Sequence, residues 1–193
     1  MSHASSGVQG RRLPGEEGVW MFVLGDLVIF AIFFVTYLVY RAEAPGAYAA
    51  GQASLNVTIG TLNTLALLTS SWLVARAVKT ARVGAAFKAR PQLVMAIGFG
   101  IAFLAGKITE YVQKARGGVG AEEAEFFMFY FVFTGIHFVH VLIGLVLLSL
   151  LAASIKTDTL VAGRLRLLEG GGVYWHMVDI LWIVLFTLFY LIR

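Results

Sequence analysis

FFMFYFVFTGIHFVHVLIGLVLLSLLAASI, residues 126–155, runs for thirty residues without one Asp, Glu, Lys or Arg. A helix crosses the hydrocarbon core of a bilayer in about 20 residues, and it satisfies its own backbone hydrogen bonds where no water can. The stretch therefore reads as a membrane-spanning helix. Outward from it lie four more such segments: Val19 to Tyr40, Leu55 to Val78, Pro91 to Val112 and Val173 to Ile192. The second is the most diluted, by Asn56, Thr58, Thr61, Asn63, Thr64, Thr69, Ser70 and Ser71.

The composition agrees. Charged residues are 13% of the chain against 59% hydrophobic, about half the charged share of a soluble domain, which is roughly 25%. The reading is an all-α polytopic membrane protein, a five-transmembrane-helix bundle, with a polar N-terminal tail over residues 1–18 and one membrane domain over 19–193. The tail has no apolar core of the kind a cleaved signal peptide carries, so the first span is expected to remain as an anchor. Cysteine is absent, which excludes disulfides, thiolate metal sites and cysteine-held iron-sulfur clusters.

Basic residues set the expected orientation. The tail, the second loop and the fourth loop share one side and carry Arg11, Arg12, Arg76, Lys79, Arg82, Lys88, Arg90, Lys156, Arg164 and Arg166; the other side has Arg41, Lys114, Arg116 and Arg193. The positive-inside rule then puts the N-terminus in the cytoplasm and the C-terminus outside. The net charge of +4 follows from this asymmetry and implies no nucleic acid. Trp20, Tyr174 and Trp175 near inner ends, and Tyr37, Tyr40, Tyr111 and Tyr190 near outer ends, read as interface aromatics.

Inside the spans stand Asp26, Lys107, Glu110, His137, His140, His176 and Asp179. A charge at the bilayer centre costs roughly 2.5–3.5 kcal/mol on insertion scales, so each needs a partner or a purpose. Lys107 and Glu110, three apart on one helix, read as an ion pair that snorkels towards the outer interface, or as a place where a lipid headgroup or a partner subunit contacts Glu110. Gly98, Ala102 and Gly106 recur every four residues and lead to Glu110, a row read as the helix-packing ridge. His137 and His140 are three apart on one face, and three readings stand for them: interhelical hydrogen bonding, ligation of haem or a metal, or contact with lipid or water. His176 and Asp179 repeat that spacing as an imidazole beside a carboxylate, a structural pair or a proton relay. Asp26 has no partner nearby in sequence and must be protonated, meet another helix or face water. Glu122, Glu123 and Glu125 precede the fourth span, either favouring its helix N-terminus or docking a basic electron donor.

Five segments in order carry a family resemblance: Gly-Val-Trp-Met-Phe-Val-Leu-Gly-Asp-Leu at 18–27, Leu-Asn-Thr-Leu-Ala-Leu-Leu-Thr-Ser-Ser at 62–71, Lys-Ile-Thr-Glu-Tyr at 107–111, Thr-Gly-Ile-His-Phe-Val-His-Val-Leu-Ile-Gly-Leu at 134–145 and Tyr-Trp-His-Met-Val-Asp-Ile-Leu-Trp at 174–182. With these the chain resembles subunit III of the haem-copper respiratory oxidases, the cytochrome c oxidase type, in its short five-helix bacterial form. The resemblance implies a non-catalytic subunit of the cytoplasmic (inner) membrane in aerobic electron transport, whose complex oxidises cytochrome c or quinol. It implies that haem and copper sit in partner subunits and none in this chain, that subunit I is the main partner and subunit II a further one, and that phospholipid is bound. It also implies support of proton uptake. Asp26 takes the place of the family's cleft carboxylate, with Glu110, His137, His140, His176 and Asp179 as the remaining lipid-binding or proton-related positions.

Two residues depart from the pattern: Asp26 stands where the family usually has glutamate, and Lys107 where it usually has glutamine. Both features are similar to subunit III relatives encoded beside nitric-oxide reductases, so an accessory role in nitric-oxide respiration is the alternative. A small b-type haem protein using His137 or His140 is a weaker one. A solute or proton carrier fits less well, because five spans do not divide into two equal repeats.

Overall fold

The computed structural model describes residues 17–118, 120 and 123–192. Arg11, Arg12, Glu122 and Arg193, used above for orientation and capping, lie outside them. The described chain is helical, without strands: α1 (Glu17–Glu43), α2 (Pro45–Ala53), α3 (Val57–Arg82), α4 (Ala86–Gly117), α5 (Ala124–Ser154) and α6 (Ala162–Phe186), the last continued by a π-helical turn (Thr187–Leu191). Five of these, all but α2, are long and apolar enough to cross a membrane.

The short α2 was not expected. Pro45 stands in its first turn, where a missing N–H costs nothing, and buried Tyr48 and Gln52 fix it to the bundle. The diluted second span is helical because most of its polar groups bond within the helix or across to a neighbour. Asn56 caps it by accepting from Ile59 N at 3.2 Å, Thr61, Thr64 and Thr69 donate to carbonyls four residues back, and Ser70 donates to Ala96 O at 2.7 Å across to α4.

Two helices extend beyond their apolar cores. α4 starts at Ala86, ahead of Pro91, because Asp158 caps it: Ala86 N donates to Asp158 O and Phe87 N to Asp158 Oδ1. α6 starts at Ala162, ahead of Val173. Its glycines are functional to packing, since a Cβ on Gly171 would stand 2.6 Å from Leu151 and one on Gly172 3.2 Å from Val78. An Arg82–Glu169 pair at 2.6 Å joins α3 to α6 at the same end.

α6 is the most buried span and α1 the least. α6 packs against α1, α3 and α5, while α3 and α4 form the tightest antiparallel pair. The helix starts and ends divide the bundle into two faces. One carries the α3–α4 and α5–α6 loops; the other carries α2, the α4–α5 loop and the π-helical turn.

The expected packing ridge is corrected. Gly98 and Ala102 are exposed, and a Cβ on Gly98 would meet nothing within 4 Å. A four-residue step advances a helix by about 40°, so the row from Gly98 to Glu110 turns through roughly 120° and cannot stay on one face. The buried row is Leu93, Ala96, Gly100, Phe103, Lys107 and Glu110, spaced three and four alternately. Gly106 does approach α3, with its Cβ position 2.1 Å from Asn63 Oδ1. Trp175 is seated between two further glycines, its ring 2.6 Å from a Cβ on Gly144 and 3.1 Å from one on Gly100.

The interface aromatics are likewise corrected in part. Tyr37, Trp175 and Tyr190 are buried within the bundle, because the two hydroxyls find protein partners there and the Trp175 ring fills the space left by Gly100 and Gly144. Tyr40 and Trp72 are exposed.

Candidate functional site: buried charge pairs in the bundle

Lys107 and Glu110 sit on the inward face of α4, each 1% exposed. The Lys107 ammonium has three N–H donors and three partners: Glu110 Oε2 at 2.8 Å, Tyr130 Oη at 2.7 Å and Tyr190 Oη at 3.3 Å. Four rings surround it, those of Tyr111, Tyr130, Trp182 and Tyr190, with centroids 4.7–5.9 Å away, within the range of cation–π attraction. The expectation of snorkelling is therefore corrected. The cation is fully coordinated where it is, and an outward turn would surrender all three bonds.

Tyr190 completes the cluster. Its hydroxyl donates to the Glu110 carboxylate, 2.6 Å from Oε1 and 2.7 Å from Oε2, and lies 3.2 Å from Tyr130 Oη. It stands in the π-helical turn, whose extra residue per turn re-aims the side chain relative to an α-helix; such turns concentrate at functional positions. The turn is held from α2, where Gln52 Nε2 donates to Leu188 O at 2.8 Å. Outside the membrane spans, the Tyr48 hydroxyl of α2 donates to Glu125 at 2.7 Å. Burial first, and this carboxylate second, push that phenol's pKa upward. Glu125 thus ties α5 to α2, and Glu123, the N-cap residue, makes no side-chain cap bond.

The second pair joins α1 to α5. His140 Nε2 lies 3.2 Å from Asp26 Oδ1, and His140 Nδ1 lies 2.8 Å from Ile136 O. A carbonyl only accepts, so Nδ1 carries a proton; the Nε2 contact with a carboxyl oxygen then requires a second one. That proton rests either on the imidazole, giving a charged pair, or on Asp26, giving a neutral one. Asp26 Oδ2 has no protein partner. Both side chains are 12–14% exposed, so the pair reaches the bundle surface. Phe30 stands edge-on to the imidazole.

The other two expected groupings come apart. His137 is fully buried, and its Nε2–H donates to Val178 O of α6 at 2.9 Å. His140 turns instead towards α1, so the shared helical face does not make a joint ligand set. His176 does not bond Asp179 directly; its Nδ1 meets Ser71 Oγ of α3 at 2.6 Å, and the same hydroxyl also interacts with the Asp179 carboxyl. Asp179 Oδ1 and His137 Nδ1 have no protein partner. Among the described residues no three His, Cys, Asp or Glu side chains gather as a metal would require.

Sequence reading missed Tyr130, Tyr190, Ser71 and Gln52. The only available signal was that a phenol or an amide inside a span needs a partner, without any indication of which helix supplies it.

The family model described as cytochrome c oxidase subunit III matches residues 3–192. The chain is 31% identical over 174 residues to the cytochrome bo(3) ubiquinol oxidase subunit 3 of Pseudomonas aeruginosa, covering 90% of this chain and 83% of that protein. It is 31% identical over 176 residues to the cytochrome c oxidase subunit 3 of Synechocystis, covering 91% and 74%. The probable cytochrome c oxidase subunit 3 of Nocardia farcinica is 28% identical over 176 residues, covering 91% and 87%. With nearly its whole length matched, the chain belongs to the cytochrome c oxidase subunit III family.

Proposed function

We propose that this multi-pass membrane protein is the non-catalytic subunit III of a haem-copper terminal oxidase, placed beside subunit I with subunit II as a further neighbour, and that it sustains proton uptake by the complex. Haem and copper belong to the partner subunits in this reading. The observation that carries it is the Asp26–His140 pair, a shared proton held between two helices and open to the bundle surface. A group of this kind exchanges protons without large rearrangement, because either partner can hold the shared proton.

The basic residues on the face with the α3–α4 and α5–α6 loops support a cytoplasmic orientation for it in a bacterial inner membrane. Bound phospholipid finds support in an apolar furrow of about 340 Å³ between α1, α5 and α6. Val19, Phe22, Leu147 and Tyr174 line it, with Arg166 available to a phosphate.

The test is Asp26→Asn in the intact complex. The expected result is full assembly with slower proton-coupled turnover or a shorter active life; unchanged turnover and lifetime would remove the proton role. The Asp26 and Lys107 departures favour nitric-oxide respiration as a second reading, whereas the relatives named above are oxidase subunits.

A further inference from the structure

The Lys107–Glu110 cluster lies away from the Asp26–His140 pair, and among the described residues no chain of hydrogen bonds links them. Its surroundings are asymmetric. Towards the bundle interior it is closed by Trp182, with Phe103 and His137 packed against that ring. Towards the face that carries α2, Glu110 lines a polar recess of about 420 Å³, together with Ser54, Asn56, Gln113, Lys114 and Glu123. A recess of that volume holds several waters, since one water occupies about 30 Å³ of liquid, and its polar lining can bond them.

We propose that the Glu110–Lys107–Tyr190 network is a proton-exchange site, fed by water in this recess and open to one face of the membrane only. The chemistry is a plain proton transfer. Hydronium in the recess gives its proton to the Glu110 carboxylate, water is left behind, and the reverse step restores the ion pair. The groups facing Glu110 are Lys107 and Tyr111 on its own helix, Tyr130 on α5 and Tyr190 in the π-helical turn. Lys114 and Glu123 stand in the recess, and the junction between α2 and α3 contributes neutral Ser54 and Asn56 there.

Lys107 is the decisive neighbour. Its ammonium donates to Glu110 Oε2, and its other two bonds tie Tyr130 and Tyr190 to the same pair. Protonation of Glu110 weakens its attraction for both Lys107 and the Tyr190 hydroxyl, so the proton load of the recess is felt by the π-helical turn. Because the cluster has no continuation across the bundle, it stores and returns protons at one face and does not conduct them through.

The experiment is infrared difference spectroscopy of the full-length chain, in the complex with which it purifies and in lipid, as pH is lowered. A protonated-carboxyl band that shifts promptly in heavy water and is missing in Glu110→Gln is expected. Lys107→Gln should move its appearance to higher pH, because the stabilising positive charge is gone. Gln113→Trp, at an exposed position on the recess wall, should slow the deuterium shift while leaving the titration in place, which keeps the test valid should Glu110→Gln fail to fold. Absence of the band while the helices are intact would overturn the proposal, as would exchange only upon unfolding or exchange unaffected by Gln113→Trp.

Discussion

Lys107 shows how much one side chain can be settled by its neighbours. A lysine in hydrocarbon is costly, and the ordinary relief is to stretch to the interface. Here the relief is internal: a carboxylate, two phenols and four ring faces within one pocket. Removing one partner of such a buried pair leaves the other charge uncompensated, at a cost of about 3–5 kcal/mol. Lys107→Met is therefore expected to destabilise the protein by that order, measured by unfolding in mixed detergent micelles. The double variant Lys107→Met with Glu110→Gln should recover most of the loss. At the other pair, His140→Phe is expected to leave the helices assembled and to impair the same function as Asp26→Asn, since both remove the shared proton; turnover assays of the two variants side by side check this.

That Lys107 and Glu110 lie together was legible from their spacing of three. Their depth was not, because it depends on Tyr130 and Tyr190, 23 and 83 residues further along the chain. Likewise the partner of Asp26 lies 114 residues away and no local pattern announces it. The sequence signal at these sites was the presence of an unmatched polar group in an apolar span, which states a need without naming its answer.

At the level of elements, the five spans were legible from apolar length alone, for bilayer thickness fixes the length required. What lay outside that rule was not: α2 is too short to register, and the starts of α4 and α6 depend on Asp158 and on a glycine run that packs against Leu151 and Val78. Helix packing was misread from a four-residue repeat. A direct check compares two substitutions. Gly144→Ala forces its new methyl against the Trp175 ring, 2.6 Å away, a case of overpacking worth about 1–3 kcal/mol. Gly98→Ala meets no neighbour and is expected to change stability by no more than about 0.5 kcal/mol. Equal effects in thermal unfolding would mean that the outward row packs after all. Gln52→Leu removes the amide that serves Leu188 O and leaves a buried carbonyl short of a donor, at a cost of about 1–3 kcal/mol, with its largest effect on amide exchange in the π-helical turn.

The whole molecule is a scaffold with its ionisable groups distributed in separate clusters, each bonded between helices. One interlocks α4, α5 and the end of α6; another joins α1 to α5; a third joins α3 to α6. Each cluster spans helices distant in sequence, so each resists separation of the bundle. The least buried helix, α1, carries one half of the surface-reaching proton pair and leaves most of its apolar surface for lipid or another subunit. This arrangement suits a protein that works inside a larger membrane assembly, as membership of the subunit III family implies.

The measurement that tests this most directly is purification of the chain from its native membrane in mild detergent through an affinity tag. It is followed by mass spectrometry and an optical spectrum of what is recovered. The account predicts recovery with haem-copper oxidase subunits I and II, with haem absorbance that departs with those subunits when the complex is dissociated. Recovery without them, with haem absorbance retained by this chain alone, would contradict it, and recovery with nitric-oxide reductase subunits would transfer the chain to that complex instead.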